Sequence, residues 1–303
     1  MTTPKIDERP RADLEARLAA LRPRLHRYCA RMTGSAIDGE DVVQEAFMKA
    51  FEALPQSGSI EHLEGWLVRI AHNAALDFLR RRARRNSVLS DEDPDMLIDP
   101  APSATEREAA LASLTTFMEL PVAQRSSVIL MDVLGYSLEE ISGITGNTVL
   151  AVKAALHRGR ARLRELAQVP DDRPPPVLGE AERSLLAAYI DRFNARDFDT
   201  LRDMLADEVQ LELVNRQRRK GRVEVGGYFT NYSRITGWTA ALGFVDRRPA
   251  ALIYDADDAT RTPRYFVLLE WTATRRVLHI RDFRYARYVI ESAEVRSDQS
   301  GGL

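Results

Sequence analysis

Residues 137–164, SLEEISGITGNTVLAVKAALHRGRARLR, constrain this chain more than any other stretch. Ser137 is placed to cap a helix, and Glu140, three residues on, completes a capping box. Leu138, Ile141 and Ile144 recur at helical spacing, Gly146 stops that helix, and Thr148 is placed to cap the next one. Val149, Val152, Leu156 and Leu163 supply the apolar contacts of the second helix. Lys153, His157, Arg158, Arg160, Arg162 and Arg164 charge its other faces. Two short helices joined by a glycine turn, the second basic, form a compact device for laying a helix in a major groove. The same pattern suits a helical hairpin with a solvated charged face, so the stretch by itself leaves both readings open.

The rest of the chain bears on that choice. Its 303 residues suffice for two or three domains, and 45% hydrophobic with 29% charged residues is a globular balance. The formal net charge of −2 does not advertise a nucleic-acid binder, but the charges are segregated. Arg80, Arg81, Arg82, Arg84 and Arg85 form one basic block and residues 153–164 another, while Asp91, Glu92, Asp93, Asp95 and Asp99 gather between them. Local patches set the field that DNA meets. Cys29 is the sole cysteine, so no intrachain disulfide or cysteine-rich metal site is expected. The N-terminal residues lack a signal-peptide core, and no apolar run approaches the ~20 residues of a membrane span, so a cytoplasmic location without membrane contact is expected.

Taken in order, residues 12–33 carry Leu14, Leu18, Leu21, Leu25, Tyr28 and Met32 at helical spacing, with Pro23 inside the pattern and Gly34 at its end. Asp38 is expected to cap a second helix whose stripe is Val42, Val43, Ala46, Phe47, Ala50 and Phe51. A third runs from about Glu61 to Arg84, with Leu63, Trp66, Leu67, Ile70, Ala74 and Phe78 inward. Residues 86–105 hold three prolines and five acids and read as an extended linker. Helix returns near Glu106, and Pro121 opens another leading into the helix–turn–helix. The proline-rich stretch 170–177 is the clearest boundary. Beyond it, two helices over 180–195 and 197–206 precede an alternating VQLELV, a short helix over 222–234, and strands near 238–246, 249–255, 264–273 and 276–290. Helices followed by strands predict an α+β domain on a curved antiparallel sheet.

Four segments, in order, carry a resemblance. Residues 12–168 resemble a bacterial RNA polymerase sigma factor of the extracytoplasmic-function group. DVVQEAF (41–47) is similar to the segment that docks on the polymerase β′ coiled coil, and WLVRIAHNAALDFLRRRARR (66–85) to the −10 recognition helix. LPVAQRSSVILMDVLGYSLEEISGITG (120–146) and AVKAALHRGRARLREL (151–166) match the −35 domain. The resemblance implies a fold of two all-α domains: region 2 over 1–88 and a helix–turn–helix region 4 over 106–169, joined by the acidic linker 89–105. Asp41, Gln44, Glu45 and Lys49 are the implied polymerase contacts; positions 41, 45 and 49 share one helix face. Arg69, Asn73, Arg80, Arg81, Arg84 and Arg85 are the implied −10 contacts, with Asn73 suited to a base edge and the arginines to phosphate. Thr148, Lys153, His157, Arg158 and Arg160 are the −35 candidates, although Val149, Leu150 and Ala151 stand where many relatives are polar or carry glycine. Trp66 is expected in the core rather than as a stacking wall, and Asp77 in a local ion pair. Core RNA polymerase (its β′ and β subunits) and promoter DNA are the implied partners. An anti-sigma factor or a small-molecule ligand is a further partner it allows; no cofactor or metal is implied.

After a linker at 170–178, residues 179–303 resemble a SnoaL-like (ketosteroid-isomerase-like) α+β cone, carried by SLLAAYIDRFNARDFDTLRDMLADEVQLE, VDRRPAALIY and LHIRDFRYARYV. Enzymes on that fold use a buried Asp or His, and Tyr254, Glu270, His279 and Asp282 are the candidates here. Alternation places His279 and Asp282 on opposite faces of one strand, so no catalytic pair is expected. RQRRKGR (216–222) suits either an exposed hairpin or a nucleic-acid contact. The function expected is an alternative sigma factor without catalytic chemistry whose appended domain is regulatory. Its rivals are a polymerase-independent DNA-binding regulator and a ligand-binding or enzymatic domain fused to a DNA-binding portion.

Overall fold

The structure, a computed structural model, describes residues 9–57, 60, 62–86, 112–169, 172–258 and 262–298, the first seven as backbone only. It divides into two compact units, Met1–Asp171 and Asp172–Leu303. The acidic linker expected over 89–105 and the helix start near Glu106 lie outside the described residues.

The secondary structure of unit 1 is all helical among its described residues. Helix α1 (Arg9–Thr33) continues unbroken through Pro23 and hands over to α2 (Ala36–Ala53). The cap of α2 is Ser35, not Asp38: the Ser35 hydroxyl accepts from the Asp38 N–H, which puts Asp38 in the first turn, where its charge suits the helix dipole. Helix α3 (Leu63–Asn86) completes a bundle cored by Leu18, Leu25, Tyr28, Val42, Val43, Phe47, Leu67 and Ala71. The segments 16–86 and 112–169, expected as separate domains, share one apolar core in this unit. Short α4 (Leu114–Met118) packs on α1, and the αL residue Gly34 permits it, since a Cβ there would stand 2.4 Å from Met118 Cγ. Helix α5 (Val122–Val128) runs into a π-turn, Ile129–Val133, in which the Leu134 N–H reaches back to the Ile129 carbonyl at 3.0 Å. Then come α6 (Leu138–Thr145) and α7 (Val149–Ala167).

Unit 2 sets α8 (Glu180–Asn194), α9 (Phe198–Asp203) and α10 (Arg222–Ser233) with a seven-stranded sheet. The strands are β1 (Leu205–Leu213), β2 (Gln217–Lys220), β3 (Trp238–Val245), β4 (Arg248–Asp255), β5 (Tyr265–Trp271), β6 (Val277–Asp282) and β7 (Val295–Ser297), in the order β2-β1-β6-β5-β4-β3-β7. The α+β expectation holds, but the sheet is mixed. Strands β1 and β6 run parallel, with Leu211 opposite Ile280, because the hairpin, α10 and the β3–β5 meander together form a connection long enough to return the chain in the same direction. The helix expected over 197–206 is shorter, and Leu205 already begins β1. The strand expected to run to residue 290 stops at Asp282. Phe283, Ala286 and Val289, all fully buried, are spaced by threes rather than twos, and the chain turns there into α11 (Tyr288–Ser292) before the edge strand β7.

Candidate nucleic-acid interface

The helix–turn–helix is built as its residues dictate. The Glu140 carboxylate accepts from the Ser137 N–H at 2.8 Å while the Ser137 hydroxyl accepts from the Glu140 N–H at 3.3 Å, and Gly146 ends α6 with φ 77°. The hydrogen bond from the Ser137 backbone holds the Glu140 carboxyl below the usual carboxylate range. The Thr148 hydroxyl accepts from the Ala151 N–H at 3.2 Å, so this candidate is first of all the cap of α7. Gly159 lets α7 lie close on α5: a Cβ there would stand 2.8 Å from Val128 Cγ2.

Along α7, Lys153 is exposed and His157 and Arg158 are half-buried. Arg160 differs from expectation. Its Nε and Nη2 donate to the two oxygens of Asp132 at 2.9 and 2.5 Å, and the Asp132 side chain is only 2% exposed. The guanidinium is thereby committed to joining α7 to the π-turn. Asp132 was the residue whose presence the i-to-i+28 separation concealed in the sequence.

On α3, Arg69, Asn73, Arg80, Arg84 and Arg85 are exposed, and positions 69, 73, 80 and 84 follow one stripe of the helix. Arg81 turns instead to α2, where it forms a fork on Glu45, with Nη2–Oε2 at 2.6 Å and Nη1–Oε1 at 3.4 Å. Lys49 bridges Glu45 at 2.8 Å and Asp77 at 3.3 Å, and Asp77 also holds Arg80 at 3.2 Å, the local pairing expected of it. Burial pushes the Glu45 carboxyl up, but the hydrogen bonds from Arg81 and Lys49 outweigh it and hold the group below its ordinary value. Asp41 and Gln44 are half-buried on the same helix. The candidate polymerase face and the candidate −10 helix are thus joined through one ion-pair network, a link that no spacing within either helix displays.

A second polar network joins α1 and α3 to the helix–turn–helix segment. Glu64, at the start of α3, pairs with Arg24 at 2.9 Å and accepts from the Tyr136 hydroxyl at 2.7 Å; Arg24 also donates to the Leu134 carbonyl at 2.5 Å and lies over the Tyr136 ring. Arg125, 4% exposed, donates to the Met32 carbonyl at 2.7 Å, closing the last turn of α1, and to the carbonyls of Leu120 at 2.9 Å and Met118 at 3.2 Å. Beside this network a groove of about 1030 Å³ is lined by Arg17, Arg24, Trp66, Arg69, Tyr136 and Ile144, among others. Trp66 is half-buried and packs against the core, as expected of it, and it also lines the groove.

In unit 2 the four candidates do not assemble. Asp282 is fully buried and accepts from Tyr232 at 2.7 Å, Tyr228 at 2.9 Å and the Arg284 N–H at 2.8 Å. Burial pushes its carboxyl up against those hydrogen bonds. Aromatic rings fill the space nearby, with Phe193 4.5 Å from Trp238 and 4.9 Å from Tyr232 between centroids. His279 sits on the other face, 3.9 Å from Glu270, and Tyr254 meets Ser297 at 3.3 Å. Among the described residues there is no cluster of three metal-ligating side chains and no helix long and apolar enough to cross a membrane.

Comparison with known proteins places these features. The model of Sigma-70 region 2 matches residues 18–85, and that of Sigma-70 region 4 matches residues 114–163. The ECF RNA polymerase sigma factor SigG of Mycobacterium tuberculosis is 32% identical over 232 residues, covering 68% of this chain; the chain spans 62% of SigG's length. The RNA polymerase sigma factor CarQ of Myxococcus xanthus is 32% identical over 154 residues, 51% of this chain and 87% of CarQ. A crystal structure of the M. tuberculosis extracytoplasmic function sigma factor SigJ aligns over 88% of this chain and 95% of its own, at 17% identity and a TM-score of 0.35. With both sigma regions matched in order, and with the ECF RNA polymerase sigma factor SigM of M. tuberculosis 34% identical over 146 residues, 47% of this chain and 70% of SigM, the chain belongs to the extracytoplasmic-function RNA polymerase sigma factors.

Proposed function

We propose that the chain is an alternative sigma factor that binds core RNA polymerase, engages promoter DNA through α3 and α7, and directs initiation without catalytic chemistry of its own. The observation that carries this reading is the exposed stripe of Arg69, Asn73, Arg80 and Arg84 on α3, coupled through Arg81–Glu45 to the polar face of α2. Asp41, Gln44, Glu45 and Lys49 exchange their present partners for basic and polar groups on the polymerase, which releases Arg81 toward DNA phosphate. On α7, Lys153, His157 and Arg158 make the −35 contacts, chiefly to phosphate, and Arg160 positions the helix. Residues 1–88 and 106–169 serve as the −10 and −35 modules, and residues 179–303 as a regulatory, SnoaL-like appendage. Asp282 supports a non-enzymatic appendage, since both of its oxygens already accept from the protein.

A reconstituted transcription assay with core polymerase and a promoter library tests this. Sequence-selective transcripts that depend on the chain are the expected result, with Asp41→Ala/Glu45→Ala weakening capture of core polymerase. Absence of any promoter-directed transcript overturns the proposal.

A further inference from the structure

We infer that unit 2 carries a contact of its own for the phosphate backbone of duplex DNA, at the corner where β2 leaves β1 and the chain turns out of β6. This goes beyond the roles given to α3 and α7. Strand β2 is the outermost strand of the sheet, and its side chains are exposed or half-buried. The turn before it, with Asn215 at φ 65°, is tied to the end of β6 by the Val214 N–H, which donates to the Asp282 carbonyl at 3.0 Å. That tie brings two basic segments to one corner. Arg216 lies with its guanidinium over the Tyr285 ring, 4.3 Å from the centroid, and Tyr285 is 41% exposed. Arg218 donates Nε and Nη2 to Glu212 Oε1 at 3.1 and 2.8 Å, yet its side chain remains 65% exposed. Arg287, two residues past Tyr285, is exposed as well.

Glu212 is buried and accepts from both Arg218 and Arg281, the latter at 2.9 Å through Oε2. The other end of β2 differs: Lys220 shares a hollow with Glu208 and Glu270, and Arg222 pairs with Asp203 at 2.8 Å. Exposed guanidinium groups therefore gather at the Arg216–Tyr285 end, and exposed carboxylates at the other. Scattered charge suffices to keep a sheet edge from pairing with another chain. Here the guanidinium groups are held in place by a ring and by a carboxylate while donors remain open to solvent, which is the preorganised state that phosphate recognition rewards. Duplex DNA is the partner whose charge this corner complements.

The test uses the full chain and a fluorescein-labelled 30-base-pair duplex, with anisotropy titrations from 25 to 200 mM KCl. Arg216→Ala/Arg218→Ala is expected to lower the slope of log K against log salt by about 1.8 and the affinity at 100 mM roughly tenfold or more, with the thermal transitions unmoved. Arg216→Lys/Arg218→Lys is expected to restore the slope. If the double alanine variant melts lower, Arg216→Ala alone carries the test, with a slope loss of about 0.9. An unchanged slope in these variants, alongside a reduced one in Arg80→Ala/Arg84→Ala, overturns the inference and leaves the cations as guards of the sheet edge, without touching the proposed function. No binding at 25 mM salt overturns it too. Preference for a single strand that disappears with Tyr285→Ala replaces it with a base-stacking site. Loss of promoter-directed transcription with the slope effect intact would sink the proposed function and leave this contact standing.

Discussion

Arg160 separates two accounts of helix α7 by measurements that move independently. If it anchors the helix through Asp132, Arg160→Ala removes two charge-assisted hydrogen bonds, at 2.9 and 2.5 Å, and strands a carboxylate that is 2% exposed. Breaking a fully buried pair costs about 3–5 kcal/mol. The Arg160 side chain is 26% exposed, so water partly replaces it, and about 2 kcal/mol is the better figure here. For a unit of this size that lowers Tm by roughly 4–8 °C. The salt slope of DNA binding should stay put, whereas Lys153→Ala should lower it by about 0.9. The assay pairs calorimetry with anisotropy titrations, and Asp132→Ala/Arg160→Ala should recover part of the stability, as expected for coupled neighbours. A slope loss of about 0.9 in Arg160→Ala with Tm unmoved would refute the anchoring role and return the residue to the DNA surface.

Other perturbations test the folding arguments. Gly39→Ala gains about 1 kcal/mol in helix propensity, but its Cβ would stand 2.6 Å from the Ala30 backbone N and Cα, so a net loss of roughly 2 kcal/mol is expected by denaturant unfolding. Burial pushes the His72 imidazole, hydrogen-bonded to Tyr28 at 2.6 Å, down to about 4. The unfolded state, titrating near 6.5, takes the proton first, so unit 1 should lose up to about 3 kcal/mol as pH falls from 6.5 to 4 and no more from this group below that. His72→Gln should flatten that window, and an equally steep profile in the variant would count against the argument. Asp282→Ala leaves the Tyr228 hydroxyl without its acceptor and the Tyr232 hydroxyl with only Tyr265, at 3.1 Å, and should cost about 2–3 kcal/mol in unit 2, read as an early transition in thermal unfolding.

What the sequence made legible follows from the range of the interactions. The capping box of Ser137 and Glu140, the αL stop at Gly146 and the Thr148 cap are all local, and residue spacing reveals them directly. Partners far apart in sequence were not legible. Glu45 and Arg81 are 36 residues apart, and Asp132 and Arg160 are 28 apart, so a surface cation and a structural one look alike until the fold is known. The Arg125 contact with the carbonyl of Met32, 93 residues away, is of the same kind and gave no local signal. Sheet direction failed for a related reason: alternation in β1 and β6 shows that they are strands but not that they run side by side in parallel. At 283–289 the apolar residues were visible, and the error lay in reading a spacing of three as a continuing strand.

The polar network between the two sigma segments is distributed so that neither side depends wholly on the other. Were the segments to part, Arg24 would keep Glu64, and Arg125 would keep the carbonyls of Met118 and Leu120. Among the described contacts, the Tyr136 hydroxyl, the carbonyls of Met32 and Leu134 and the groups they face on Glu64, Arg125 and Arg24 would take water in exchange. Each guanidinium thus carries its own counterpart away with it, and the polar part of the joint is a reversible clasp rather than a weld.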